Sequence, residues 1–104
     1  MKHMVISVSL GLALASGAAL AADAEQLLKE KNCLTCHQLQ TKVVGPAYKD
    51  VAAKYKARKD AEAYLVSKIK GGSTGVWGPI PMPPNGTVSD DEAKTLAKFV
   101  LTVK

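Results

Sequence analysis

Two cysteines and a histidine lie within five consecutive residues, Cys33-Leu34-Thr35-Cys36-His37, and the chain of 104 residues contains no other cysteine. This Cys-x-x-Cys-His spacing is the signature of c-type haem attachment. Thiols about one turn apart can each add to one of the two vinyl groups on one edge of haem, and the adjacent imidazole can then coordinate the iron. The motif therefore predicts one covalently bound haem c, around which the rest of the chain must fold.

Three other kinds of site use similar residues. A structural zinc site needs four ligands. Once the export signal described below, which contains His3, is removed, only His37 remains as a further soft ligand, in an awkward position beside Cys36. A thioredoxin-type redox pair occurs in a βαβ context, which this sequence lacks. A structural disulfide would leave His37 and Met82 without a role. Haem attachment is the interpretation that uses all of these residues.

The first residues predict an export signal that is removed. A short basic start is followed by an apolar stretch and then by small residues around Ala19-Leu20-Ala21, which is the layout of a secretory signal peptide. The alternative is an uncleaved membrane anchor, which the small residues and the acidic residues after them disfavour. We expect residues 1–21 to be cleaved, leaving 22–104 as one domain in the periplasm with no stable membrane insertion.

The remaining 83 residues are few for a self-sufficient core, so a bound group is expected to complete it. Apolar residues recur at helical spacing, and no alternating strand pattern is present. The sequence predicts a small all-α fold of about four helices, which are expected over residues 24–31, 47–57, 60–70 and 89–104. The expected N-caps include Asp23, Asp60 and Ser89, the last in a capping box with Glu92. Asn32 is expected to end the first helix in the left-handed conformation.

Met82 is the strongest candidate for the second axial ligand of the iron. After signal removal it is the only methionine, as His37 is the only histidine. Pro81 and Pro83 flank it, and prolines fix φ and favour extended conformations in the preceding residues. A stiffened loop can hold the sulfur at the iron at little ordering cost, so we expect Met82 as the ligand, with lysines as the rivals.

Beyond the haem motif, three segments carry a family resemblance: residues 44–52, 75–85 and 89–104, which read VGPAYKDVA, GVWGPIPMPPN and SDDEAKTLAKFVLTVK. With the motif, they resemble the small bacterial monohaem class I cytochromes c of the c-551/c-552 type over essentially the whole mature chain. The resemblance implies the class I cytochrome c fold, in which the first and last helices cross. It also implies that the Pro46 carbonyl accepts the Nδ1 proton of His37, which fixes the imidazole.

The resemblance implies three further haem-pocket residues. The indole N–H of Trp77 would reach a haem propionate, and Asn85 would form a hydrogen bond near the Met82 sulfur. Lys68 stands where many members carry an arginine near the propionates, which keeps the charge but loses the planar fork of a guanidinium.

With ligands on both axial positions the iron has no free site for a substrate, so the sequence predicts an electron carrier and not an enzyme. A thioether ligand favours Fe(II) and raises the reduction potential. The expected protein is a monomeric periplasmic shuttle that accepts electrons from a membrane-bound quinol-oxidising complex. The resemblance suggests a haem nitrite reductase or a cytochrome oxidase as acceptor. The alternatives are a small haem enzyme or gas sensor with a labile sixth ligand, and a metal-binding structural module.

The positive charge is concentrated in one segment. The chain carries a formal net charge of +5, and residues 41–70 contain eight basic and three acidic residues. This segment is either a solvated helix surface or a surface that steers the protein toward an acidic patch on a partner. Nucleic acid is not an expected partner, because the chain carries an export signal and haem adds two negative propionates.

Overall fold

The computed structural model describes residues 16–104, so the first 15 residues of the expected signal peptide lie outside the described part. Four α-helices follow one another: α1 (Ser16–Glu30), α2 (Tyr48–Tyr55), α3 (Ala61–Gly71) and α4 (Asp90–Val100). A short 3-10 helix at Cys33–Thr35 lies between α1 and α2. The described residues contain no strand, which confirms the all-α expectation. Within them, no helix has the length and apolar character needed to cross a membrane.

Helix α1 begins earlier than expected. It starts at Ser16 and passes through the expected cleavage point after Ala21, so Asp23 lies inside the helix and is not its N-cap. The physical reason is that residues 16–22 are mostly alanine, the best helix former, and continue the helix toward the N-terminus. The far end matches its prediction, because Asn32 adopts the left-handed conformation with φ of 61° just after the helix.

Helices α2 and α3 differ from their predictions at their ends. Ala47, in extended conformation, is the N-cap of α2, so Pro46 precedes the cap, and the helix stops at Tyr55 instead of residue 57. Asp60 is the N-cap residue of α3 but accepts no capping hydrogen bond. Its carboxylate instead pairs with the guanidinium of Arg58, and this pairing holds the pKa of Asp60 below its usual range.

Helix α4 has the predicted N-terminus. The Ser89 hydroxyl accepts from the backbone N–H of Glu92 at 3.1 Å, and the Glu92 carboxylate accepts from the backbone N–H of Ser89 at 2.9 Å. This reciprocal pair is a complete capping box. The helix ends at Val100, four residues before the expected end, and Leu101 caps it.

The helices pack with α4 against both α1 and α3. Two lysines fasten the first turn of α4 to the neighbouring helices. Lys31 donates to the Thr87 carbonyl at 2.9 Å and lies 3.6 Å from the Glu92 carboxylate, while Lys70 pairs with Asp90. The core cluster consists of Leu28, Tyr48, Val51, Tyr55, Ala61, Leu65, Val88, Ala93, Leu96, Ala97 and Val100.

We expect the substitution Ser89→Ala to lower the free energy of unfolding by about 1 kcal/mol, because it leaves a backbone donor of the first turn without its cap. The measurement is urea denaturation of the haem-loaded protein, followed by circular dichroism of the helices. Ser67→Ala is the matched control, since the Ser67 hydroxyl donates only to the Tyr64 carbonyl within α3. Ser67→Ala should change the free energy of unfolding by no more than about 0.5 kcal/mol. Equal losses of stability in the two variants would contradict a stabilising role of the Ser89 cap.

Candidate haem site

One cavity of about 680 Å³ brings together the residues that the sequence singled out. Its volume lies within the roughly 300–1,000 Å³ of cofactor and small-molecule sites. The walls come from the 3-10 helix, the loop after it, α3 and the long loop before α4. The expected haem and pocket residues that line it are Cys33, Cys36, His37, Pro46, Lys68, Trp77, Met82 and Asn85.

The cysteines and the histidine are held in one tight turn. Cys33 begins the 3-10 helix after the left-handed Asn32, and the backbone N–H of His37 donates to the Cys33 carbonyl at 2.9 Å. Both thiols are free and partly exposed to the cavity. Burial, with Cys36 adding to it, raises the pKa of the Cys33 thiol. The turn thus presents two sulfurs and an imidazole to the same cavity.

Two neighbours restrict the position of the His37 imidazole, the carbonyl of Pro46 and the backbone of Gly45. Its Nδ1 lies 2.8 Å from the Pro46 carbonyl oxygen, the pair that the resemblance implies. An Nδ1–H that donates there leaves Nε2 free to bind a metal. Gly45 lies against the ring so closely that a Cβ at this position would come within 2.5 Å of Cε1. Only glycine leaves room for the imidazole at this point.

A phenol ring covers the imidazole. The rings of Tyr48 and His37 are stacked, with centroids 4.9 Å apart and an interplanar angle of 18°. Tyr48 is 7% exposed and belongs to the core cluster. Burial raises the pKa of Tyr48, so its hydroxyl stays protonated throughout the physiological range.

Met82 is held by its backbone. Its N–H donates to the Ser73 carbonyl at 2.8 Å, and its carbonyl accepts from the Ser73 N–H at 3.0 Å. Gly72, with φ of +83°, approaches the Met82 carbonyl so closely that a Cβ would come within 2.6 Å of that oxygen. The flanking prolines are therefore not the only restraint on Met82. Two backbone hydrogen bonds to Ser73 also hold this part of the loop, and with it the position from which the Met82 side chain extends.

Asn85 is bonded to the end of α3, and its expected hydrogen bond near the Met82 sulfur stays a prediction. Its side-chain Nδ2 donates to the Ile69 carbonyl at 2.7 Å, and its backbone N–H donates to the same oxygen at 3.2 Å. Both bonds fasten the end of the Met82 loop to α3. The physical reason is that Ile69 is in the last turn of α3, where backbone carbonyls have no partner within the helix.

A cluster of aromatic rings and cations forms another part of the wall. Trp77 meets Tyr55 edge-on, with ring centroids 6.3 Å apart, and the Tyr55 and Tyr64 hydroxyls are 3.5 Å apart. Burial and this hydrogen bond raise the pKa of Tyr55 to about 12. The Lys68 ammonium lies over the Tyr64 ring, 5.2 Å from its centroid. Lys68 and Trp77 are therefore neighbours of the same tyrosine pair at the cavity.

The residues at the cavity fit a c-type haem. Two thiols, an imidazole with a free Nε2 and a thioether are a donor set that suits covalent haem attachment and axial ligation. Much of the remaining wall is apolar, including Leu28, Val51, Leu65 and Leu96. No cluster of three or more His, Cys, Asp or Glu side chains that could hold a metal ion occurs among residues 16–104.

Two contributors to this geometry were not assigned a role from the sequence. In the sequence, Gly45 stands out only as part of the 44–52 segment that carries the family resemblance, and Ser73 carries no signal at all. Ser73 acts through its backbone, which every residue possesses, so no residue type could have pointed to it. Gly45 could have been suspected, because a glycine beside a predicted metal ligand often allows a close backbone approach.

Comparison with known proteins gives the same assignment. The family model for cytochrome c matches residues 21–104. Cytochrome c-552 from Nitrosomonas europaea is 64% identical over 83 residues, which is 80% of each chain. Cytochrome c-551 from Pseudomonas aeruginosa is 63% identical over 94 residues, covering 90% of this chain and 88% of that protein.

The solved structures agree. The crystal structure of the Nitrosomonas europaea cytochrome c552 superimposes with a TM-score of 0.76 at 62% identity, covering 77% of this chain and 99% of that one. The c-551/c-552 resemblance and the class I cytochrome c fold are thereby confirmed. The chain belongs to the cytochrome c family, as a small member that binds one haem c covalently and transfers electrons instead of catalysing a reaction.

Proposed function

We propose that the protein is a monomeric periplasmic electron carrier whose haem iron is ligated axially by His37 and Met82, with Cys33 and Cys36 as the thioether residues. The observation that carries the proposal is that all four side chains line one cavity, although Met82 is more than forty residues away from the motif. Within residues 22–104, no other histidine or methionine competes with His37 and Met82 for the iron.

The ligand set determines the chemistry. When bound, haem supplies an iron that accepts and releases one electron. The Pro46 carbonyl holds the proton of His37 at Nδ1, so that Nε2 is directed to the metal and the imidazole becomes more basic. The Met82 thioether is a weak, soft donor that favours the reduced state. With His37 and Met82 both holding the iron, no position would remain there for a substrate, and the group would supply one-electron transfer only.

The location and partners follow from the export signal and from the family. Residues 1–21 are proposed to be the cleaved signal peptide. Ala24 and Leu28, the buried residues among the described side chains of α1, both follow that boundary and would remain after cleavage. We propose a membrane-bound quinol-oxidising complex as electron donor and a haem nitrite reductase or a cytochrome oxidase as acceptor. The proposed pocket roles of Trp77 and Lys68 at the propionates are part of the same hypothesis.

The basic segment contains few free cations next to the cavity. Arg58 is paired with Asp60, and Lys70 is paired with Asp90. Lys42 lines the cavity, beside the exposed Val43 and Val44, and among the described residues it makes no ion pair. Lys68 also lines the cavity, but its ammonium lies over the Tyr64 ring and is proposed to meet the propionates. Lys42 is therefore the best candidate in the segment for a charge that attracts an acidic partner toward the haem site.

We expect Met82→Ala to abolish the sulfur-to-iron charge-transfer band of the ferric protein and to open the iron to carbon monoxide in the ferrous state. The reason is that alanine leaves one axial position without its thioether. The measurement is an absorption spectrum in both redox states with and without carbon monoxide. Thr74→Ala is the matched control, since Thr74 lies on the same loop, is exposed and does not line the cavity.

Two results of that experiment would overturn the proposed ligation. One is survival of the charge-transfer band in Met82→Ala. The other is ready binding of carbon monoxide by the unchanged protein, which would indicate a labile sixth ligand and favour a haem enzyme or gas sensor.

We expect Lys42→Glu to slow oxidation of the reduced protein by the anionic hexacyanoferrate(III) several-fold and to accelerate oxidation by the cationic tris(phenanthroline)cobalt(III). Charge close to the reacting site changes the encounter rate most, and at 0.1 M ionic strength charges are screened over about 10 Å. Stopped-flow rates at several salt concentrations provide the measurement. Lys59→Glu is the control of equal charge change, because Lys59 does not line the cavity. Equal effects of Lys42→Glu and Lys59→Glu would indicate that residues 41–70 form a solvated helix surface and do not steer a partner toward the haem site.

A further inference from the structure

Tyr48 is the one aromatic side chain that is stacked on the proposed iron ligand. Its ring lies parallel to the His37 imidazole within 18°, with 4.9 Å between centroids. It lines the same cavity and is buried in the core cluster. Neither haem attachment nor axial ligation requires a phenol ring there, so the contact needs an explanation of its own.

We propose that Tyr48 is a positioning residue for the axial imidazole, whose ring fixes the rotation of the His37 plane about the bond from Nε2 to the iron. The inference rests on the proposed function, because it takes His37 as an axial ligand. It adds a specific role for a residue that otherwise belongs to the packed core.

The Pro46 hydrogen bond alone does not determine the orientation of the imidazole. A single bond at Nδ1, 2.8 Å long, fixes one edge of the ring but lets the plane tilt about the line between donor and acceptor. Gly45 lies against the imidazole and limits movement of the ring toward the backbone at that point. The stacked ring of Tyr48 opposes tilting of the plane, because tilting would bring ring atoms into contact with the phenol. Together these three contacts leave the imidazole one orientation.

The backbone around Tyr48 is tied to the haem motif, so the ring cannot move independently of His37. The Tyr48 N–H donates to the carbonyl of Gln38, the residue after His37, at 2.9 Å. The next N–H, that of Lys49, donates to the Leu39 carbonyl at 3.0 Å. Ala47, which precedes Tyr48, is completely buried. The first turn of α2 and the residues after the motif therefore form one rigid unit.

Orientation of the imidazole plane has a direct electronic consequence. The π orbital of an axial imidazole overlaps with iron d orbitals to an extent that depends on the direction of the ring plane. That overlap affects the g values of the low-spin ferric state and the paramagnetic shifts of the haem methyl groups. A change in ring orientation is therefore visible in spectra even when the protein remains folded and both ligands remain bound.

The test compares Tyr48→Leu with Tyr48→Phe in the haem-loaded ferric protein. Leucine fills the site with apolar atoms but removes the flat ring, whereas phenylalanine keeps the ring and removes only the hydroxyl. We expect Tyr48→Leu to shift the largest g value and to change the spread and order of the haem methyl resonances. Tyr48→Phe should retain the pattern of the unchanged protein. The reduction potential, measured on the same samples, should likewise change in Tyr48→Leu and stay unchanged in Tyr48→Phe.

Retention of the unchanged spectra by Tyr48→Leu, or equal shifts in the two variants, would overturn the proposal. If Tyr48→Leu does not fold, Tyr48→Ile replaces it, because its apolar side chain also presents no ring and has no atom that can bind iron. Failure of the proposed function has a different signature, which is the absence of a low-spin signal with a sulfur-to-iron band in the unchanged protein. The two failures are therefore distinguishable.

Discussion

The fold depends on the fact that the helices surround a cavity instead of packing only on one another. Leu28, Leu65, Leu96 and Val100 belong to the core cluster and also line the cavity. Without a group in that space, these side chains would have contacts on one side only, and a void of this size loses both burial and dispersion energy. A domain that spans residues 21–104, the part matched by the cytochrome c family model, has little core to spare. The haem therefore acts as part of the hydrophobic core, and its covalent bonds keep that part of the core permanently in place.

The two proposed iron ligands, His37 and Met82, are held by more contacts than the sequence suggests. His37 is held by the Pro46 carbonyl at one edge, by Gly45 and by the Tyr48 ring. Met82 is held by a backbone bridge to Ser73. A ligand set that changes little between two oxidation states needs little reorganisation when an electron is gained or lost. Rigid support of both proposed ligands thus suits electron transfer and a role that involves no substrate at the iron.

Patterns in the sequence predicted those features that depend on local chemistry. The capping box at Ser89 and the left-handed Asn32 follow from side chains and backbone preferences within a few residues. Other features depend on partners that are distant or compete locally. Asp60 has the right position for a cap, but Arg58 takes its carboxylate. Asn85 is bonded to the end of α3, a partner 16 residues away whose carbonyl is not marked by any side chain. Most features that the sequence did not predict are hydrogen bonds to backbone groups, and no side chain marks the position of such a partner.

The charges of the molecule divide into those that hold the fold and those that remain available to a partner. Lys31 and Lys70 fasten the first turn of α4, and Arg58 is used by Asp60 and by the Tyr64 ring, 4.0 Å from its centroid. Cations that already have a fixed partner contribute less to a long-range field, because the neighbouring carboxylate cancels much of their charge. A count of basic residues therefore overstates the attraction that residues 41–70 exert. The effective charge near the haem site depends on where the unpaired lysines lie, and Lys42 lies at the cavity itself.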